Sequence, residues 1–468
     1  MRPPTENFGG DIFSPNLMQK SYDNPILLKT KINSINPLLQ GVSPDTNLTF
    51  RYTNIGDEVT YEQRGKGKNK FAKVDSILRA NPYNPQCNHF ADCGGCSGQH
   101  LDYQTQFTTK TSLVFEKFKS QFQFQPNLIP SERHYEYRNR MDFAVFPGFI
   151  GLRQAENFRR IIDIKKCELQ SEWANEELTQ LRSLLLDEYQ NLPLDRRSGN
   201  GYLKYITLRT NIKSSDTITI LTFTEDFQST ELESKLANDL LKFSTSNNIV
   251  FCYNRKQSEV SADGIFKVIR GKSYYTEDFF GKRIQVPFNS FFQPNPNGFM
   301  PIIRFIEDKL KTIESNTLID LFCGNGFFSI LFGDRFQNII GYDWVESSIQ
   351  TATENLNRLF PGKKIIFEKK DLLQFKDVFS DSKSIPEDSI LILDPPRNGI
   401  GIKLSEYILN SSIKNILYVS CNPNSQIDDL KILSENYEIL SGLITDPYPH
   451  TPHLESVLHL KRKEMELV

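Results

Sequence analysis

From about Lys282 onward, short apolar runs alternate with segments whose apolar residues recur at helical spacing. The runs are NTLIDLF, NIIGYD, KIIFEKK, SILILD, NILYVS and SVLHL. Strands separated by helices predict a parallel, doubly wound α/β sheet, in which ligands bind at the carboxyl ends of the strands. Between Leu27 and about Ile77 the period is shorter. LTFRYT, DEVTYEQ and FAKVDSIL alternate and are broken by turn residues, which predicts a small β-barrel or sandwich. Tyr103 to Phe122 reads as a helix, followed by mixed strands and helices up to about Gly281. The pattern divides the chain into a loose tail (1–24), a small β-barrel (25–80), a central α+β region (81–281) and a C-terminal α/β domain (282–468).

Composition narrows the partners without naming one. The chain has 468 residues, with 55 Lys and Arg against 57 Asp and Glu, so no global basic excess marks a nucleic-acid binder. Any such binding has to come from local runs. RGKGKNK, YEYRNRMDFAV and LRQAENFRRIIDIKKC are candidates, each with ordinary solvated surface as the alternative. Seven cysteines in a long chain, with no apolar leader in MRPPTENFGGDIFSPN, fit a reducing compartment. The expectation is a cytoplasmic protein with no membrane segment, acting as a monomer.

The strand ends carry the chemistry. TLIDLF runs into CGNGFF, a glycine pair that lets backbone approach a ligand before the next helix begins; a tight structural turn is the alternative. The sequence lacks a full G-x-G-x-x-G, which disfavours a dinucleotide. The second strand ends in Asp343, placed to accept hydrogen bonds from ribose hydroxyls. Together they suggest an adenosine-containing cofactor without pyrophosphate, and S-adenosylmethionine fits. The fourth strand ends in LDPPRNGI, where proline forces the chain out of the sheet and presents Asp394 and Arg397 at the ligand edge. Arg397 replaces the aromatic that stacks on the base in the similar tetrapeptide of amino-methylating enzymes. It either contacts RNA or pairs with a nearby carboxylate.

The fifth strand ends in SCNP. Cys421 there is either a packed thiol or a thiolate favoured by the following helix N-terminus. Carbon 5 of a pyrimidine is too poor a nucleophile to attack a methylsulfonium. A thiolate adding at carbon 6 creates an enolate that attacks from carbon 5, after which a base removes the carbon-5 proton and the thiol is eliminated. Glu455 in HTPHLESVLHL is the candidate base, with a surface glutamate as the alternative.

DLFCGNG, LDPPRNG, SCNP and HTPHLES, with SFFQPN upstream, resemble the RNA 5-methyluridine methyltransferases that act on tRNA and large-subunit ribosomal RNA. The likeness runs from about Gly56 to the C-terminus. It implies a class I methyltransferase domain, with Cys421 as nucleophile and Glu455 as base. Gln293, Phe322, Gly324, Gly326, Asp343 and Asp394 would line the S-adenosylmethionine and uridine pocket, with Phe291 as a surface for stacking a flipped base. Structured RNA is the implied partner. Two positions depart from the family pattern: Phe327 stands where Asn is usual, and Asp343 where Glu is common. Both predict altered cofactor affinity with the catalytic pair intact.

Cys87, Cys93 and Cys96 form C-x5-C-x2-C, and Cys167 can join them after the chain folds back. Four thiolates hold zinc or an iron-sulfur cluster. The three-plus-one spacing favours a cluster, and it resembles the family branch that binds [4Fe-4S]. A cytosine-C5 methyltransferase uses the same covalent logic. A non-catalytic RNA-binding or RNA-folding protein that keeps the scaffold is the competing class.

Overall fold

The computed structural model describes residues 26–67, 70–80, 84–211, 213, 215–374 and 388–464. The expected tail and part of the RGKGKNK run, Lys68 and Asn69, lie outside the described residues. The doubly wound sheet is present. Five parallel strands stand in the order Lys364–Lys369, Asn338–Asp343, Thr317–Leu321, Ser389–Leu393 and Asn415–Ser420, and Glu455–Arg462 and Tyr437–Thr445 extend the sheet. Glu455–Arg462 runs antiparallel to Asn415–Ser420. The central strands Thr317–Leu321 and Ser389–Leu393 are buried at every position, which explains why they read as continuous apolar runs instead of alternating ones.

Two elements from upstream complete this body. The strand Asn127–Ile129 pairs in parallel with Tyr437–Thr445 at the sheet edge. The helix Tyr103–Phe122 inserts Val114 and Phe118 into the same core as Ile319, Leu321 and Tyr418. Asp102 caps that helix by accepting the Thr105 N–H at 2.8 Å. The two helices that start beside the site, Pro296–Leu310 and Pro423–Leu433, both open with an Asn cap followed by Pro. Proline fits a first helical turn, where its missing N–H would have had no partner.

The central region forms a seven-stranded sheet, ordered Asn157–Asp163, Phe149–Gln154, Arg140–Phe146, Leu203–Thr210, Thr217–Thr224, Asn248–Asn254 and Ile265–Arg270. One face of it shares a core with the catalytic body, where Ile218, Val250 and Cys252 pack with Phe292, Phe299 and Ile330. The N-terminal unit departs from the expected barrel. Among the described residues it is two three-stranded sheets, Leu28–Lys31, Glu58–Arg64 and Phe71–Leu78 in one, Ser34–Ile35, Gly41–Val42 and Thr49–Phe50 in the other. Both cover a small core of Ile32, Leu48, Phe50, Val59 and Tyr61. Strands two residues long supply too few ladder bonds to close a barrel.

Candidate active site

The carboxyl ends of the catalytic strands open into a cavity of about 930 Å³. On one side, the chain leaves Leu321 through three left-handed residues: Phe322 (φ 62°), Gly324 (φ 51°) and Gly326 (φ 76°). A Cβ on Gly324 would meet nothing within 4 Å, so glycine is needed there for its conformation and not for space. Gly326 does not line the cavity; an added Cβ would lie 3.0 Å from that of Ala352, which makes it a packing position under the loop. The Gly324 N–H donates to Asp343 Oδ2 at 3.0 Å and the Val345 N–H to Oδ1 at 2.8 Å. Asp343 therefore fixes the loop and still faces the cavity. Behind it, Asp320 Oδ2 accepts from the Ser329 backbone (3.2 Å) and hydroxyl (2.6 Å), while Oδ1 is buried without a partner. Burial pushes the Asp320 carboxyl up to about 7.

Gln293 lines the cavity from a nearly buried position, and Phe291 stands 67% exposed at its edge. Phe327 joins an aromatic group with Phe279, Phe292 and Phe328, at ring distances of 5.4–5.5 Å. The departure from Asn thus exchanges a polar side chain for packing.

On the other side of the cavity, Asp394 ends its strand, and burial followed by the charge of Asp320 pushes its carboxyl up to about 7. The turn after Pro395 and Pro396 is tied to the next helix, because Asn422 Nδ2 and Ser425 Oγ both donate to the Arg397 carbonyl, at 3.0 and 2.9 Å. The Arg397 guanidinium lies 3.1–3.2 Å from the ring nitrogens of His453. Burial, then Arg397 itself, lowers that imidazole to about 4, so the ring stays neutral and able to accept.

Cys421 and Glu455 meet through sheet register. Ser420 pairs with Ser456 across the antiparallel strands, so one residue further on Cys421 leaves its strand where Glu455 enters its own. Both line the cavity with Asp394 and Arg397. The Cys421 thiol is not depressed by the helix behind it. Burial, then Glu455 and Asp394, push it up to about 11 against an opposing pull from Arg397. Glu455 is buried, and desolvation followed by Asp394 raises it well above the carboxylate range. A thiol, two carboxyl groups and an arginine converge on one space.

Sequence comparison agrees with this geometry. The tRNA (uracil-5-)-methyltransferase family model matches residues 102–463. The chain belongs to that family. An uncharacterized RNA methyltransferase of Leptospira interrogans is 43% identical over 448 residues, covering 93% of this chain and 97% of its own. A tRNA (uracil(54)-C(5))-methyltransferase of Pyrococcus furiosus is 28% identical over 410 residues, covering 87% and 93%. The crystal structure of Pyrococcus abyssi tRNA (uracil-54, C5)-methyltransferase in complex with S-adenosyl-L-homocysteine shares the fold, with a TM-score of 0.74 at 24% identity over 92% of this chain and 100% of that one. The protein is an RNA (uracil-C5) methyltransferase with an α/β class I methyltransferase fold.

In this methyltransferase the loop that delivers Glu455 is held by residues the sequence did not single out. The Lys110 ammonium forms a fully buried ion pair with Asp446 at 2.6 Å. It also donates to the carbonyls of Thr451 (2.9 Å) and His453 (3.3 Å). Gln106 Oε1 accepts the His450 N–H at 2.9 Å, and the Tyr137 hydroxyl donates to Pro449 O at 2.8 Å. A signal was present. Gln106 and Lys110 lie one turn apart, among Phe107, Val114 and Phe118, on the buried side of their helix.

The four predicted metal ligands line one small cavity of about 40 Å³ with His89, Arg138 and Glu168. Among the described residues, however, no group of three or more His, Cys, Asp or Glu side chains is arranged to hold a metal ion. The expected metal site is therefore not preformed. Burial keeps the thiols protonated, raising Cys87 and Cys93 and pushing Cys96 up to about 12 and Cys167 to about 11. Cys252 and Cys323 are buried core residues. Among the described residues no helix is long and apolar enough to cross a membrane.

Proposed function

We propose that the protein methylates carbon 5 of a uridine in structured RNA through a covalent Cys421 adduct. The observation that carries this reading is the placement of Cys421 opposite Glu455 in the cavity that Asp343 and the glycine loop also line. tRNA is the first candidate substrate and ribosomal RNA the second, because relatives of this chain are named for tRNA. Phe322, Gly324, Asp343 and Gln293 are assigned to the cofactor side, Gly326 supporting the loop from beneath. S-adenosylmethionine, when bound, supplies an electrophilic methyl group.

The protein's own residues do the rest. Cys421 Sγ bonds to carbon 6 of the uracil, and its proton passes to Asp394, whose carboxyl, at about 7, is partly ionised near neutrality. The carbon 5–carbon 6 π electrons move toward carbon 5 and oxygen 4, giving an enolate whose carbon 5 forms the new bond to the methyl group; the methyl–sulfur bond would break with its electron pair on sulfur, leaving S-adenosylhomocysteine. Glu455 in its ionised form then removes the carbon-5 proton, the double bond re-forms, and the sulfur leaves. Arg397 opposes the rise in both Cys421 and Glu455, so it favours their charged forms.

The same reading assigns Cys87, Cys93, Cys96 and Cys167 to a [4Fe-4S] cluster. Its support is their common cavity and their three-plus-one spacing, which suits a cluster better than a single ion. Such a cluster would cross-link the cysteine loop to the chain at Cys167, with no part in methyl transfer. A reducing, cytoplasmic setting follows from four such thiols.

The test is Glu455→Gln incubated with S-adenosylmethionine and, separately, tRNA and ribosomal RNA. Turnover should fall by about 10²–10⁴-fold, and a protein–RNA adduct that survives denaturing electrophoresis should accumulate with the substrate pool. Wild-type protein yielding no 5-methyluridine in either pool would sink the proposal.

A further inference from the structure

The segment Phe288–Asn295 carries Phe291 and Gln293 to the cavity; its end is tied by Asn295 Nδ2 donating to Pro447 O at 2.6 Å, and its middle is held from two sides. From the central sheet, the buried Arg209 donates through Nη1 to the carbonyls of Phe288 (3.1 Å) and Ser290 (2.8 Å), and the Asn139 N–H donates to Pro294 O at 2.9 Å. From the cofactor side, Asn325 in the glycine loop donates through Nδ2 to Phe291 O at 2.6 Å. Phe327, two residues on, packs its ring on Phe292 at 5.4 Å. The loop assigned to the cofactor and the residue assigned to the RNA base are therefore joined by one side-chain hydrogen bond and one aromatic contact.

Asn325 is 8% exposed, and its Oδ1 is buried without a partner. A half-satisfied buried amide carries a free-energy cost that a donor reaching it from the cavity it lines would relieve. A ligand that moves or stiffens this loop has one polar connection through which to move Phe291.

Resting on the methyltransferase reading, we propose that Asn325 is a positioning residue that couples cofactor binding to RNA binding by setting the place of Phe291. Coupling of this kind is reciprocal: the cofactor tightens RNA by the factor by which RNA tightens the cofactor. Arg209 supplies the fixed side of the device and Asn325 the responsive side.

The experiment is calorimetric titration of S-adenosylhomocysteine into the protein, with and without saturating unfractionated tRNA. In the wild type, tRNA should tighten S-adenosylhomocysteine about fivefold or more. Asn325→Leu keeps the approximate volume and removes the donor, and Asn325→Asp keeps an acceptor and removes the donor. Both should bring that ratio to within about twofold of unity while S-adenosylhomocysteine alone still binds. A residue that merely holds the fold would weaken both affinities and leave the ratio unchanged. An unchanged ratio in both variants, or a wild-type ratio near one, overturns the proposal. Wild-type protein from the same preparation that makes no 5-methyluridine defeats the functional reading itself, whereas active protein with an unchanged ratio in the variants defeats only the coupling.

Discussion

Two cavities share a wall at Arg138, and both contain cysteine, yet their chemistry diverges. In the smaller one, Cys96 and Cys167 are half-buried among other thiols and pushed by desolvation up to about 12 and about 11. In the larger one, Cys421 is pushed up to about 11. Resting thiol acidity thus fails to distinguish the thiol proposed as nucleophile from the four proposed as ligands. What distinguishes them is space and the state of the neighbouring carboxyls: Cys421 stands with two raised carboxyl groups in a cavity of about 930 Å³, while the other four, with Arg138 and Glu168 beside them, share about 40 Å³. On the proposed mechanism, a reactive cysteine is marked by its proton acceptors and its access and not by its resting acidity.

The sharpest way to break this comparison is to remove one thiol from each side. Cys421→Ala should cost about a thousandfold or more in methylation. Cys96→Ser should lower the melting temperature while the surviving folded protein keeps turnover within about tenfold of wild type. Equal loss of turnover in a folded Cys96→Ser protein would place chemistry in the wrong cavity. A smaller effect is expected from the scaffold between them. Lys110→Met leaves Asp446 buried without its cation and should destabilise the protein by about 3–5 kcal/mol in urea unfolding. Lys110→Met combined with Asp446→Asn should recover part of that loss, and an additive double variant would contradict the pairing.

The mildest test is pH. On the proposed mechanism Glu455 serves as base only when ionised and its carboxyl is raised, so kcat/KM should climb as pH rises above the ordinary carboxylate range. Asp320 and Asp394, both pushed up to about 7, hold protons in the folded state that the unfolded chain has already released. The folded state binds more protons in that window, so stability falls as pH rises through it. The melting temperature of ligand-free protein should therefore drop between about pH 4.5 and about pH 8, and Asp320→Asn should flatten the drop. A slope unchanged by that substitution would remove Asp320 from the account.

Much of the catalytic side was legible because its signals are local. The apolar runs give the strands, Asn–Pro opens both helices beside the site, and Asp394 and Cys421 stand where their strands end. The N-terminal unit misled because alternation reports a half-buried strand and says nothing of strand length or closure. Its second sheet has strands of two residues. Phe327 looked like a missing polar contact until its aromatic neighbours were in place.

By itself, then, the sequence determined the doubly wound sheet, the order of its motifs and the residue types at each strand end, since these depend on near neighbours and on hydrophobic period. Only the tertiary structure decided that Gln106 braces His450 across 344 positions, that Lys110 buries its charge against Asp446, and that Cys421 rests as a thiol despite the helix that follows it. Desolvation and long-range contact energies depend on which atoms surround a group, and no stretch of adjacent residues encodes that surrounding.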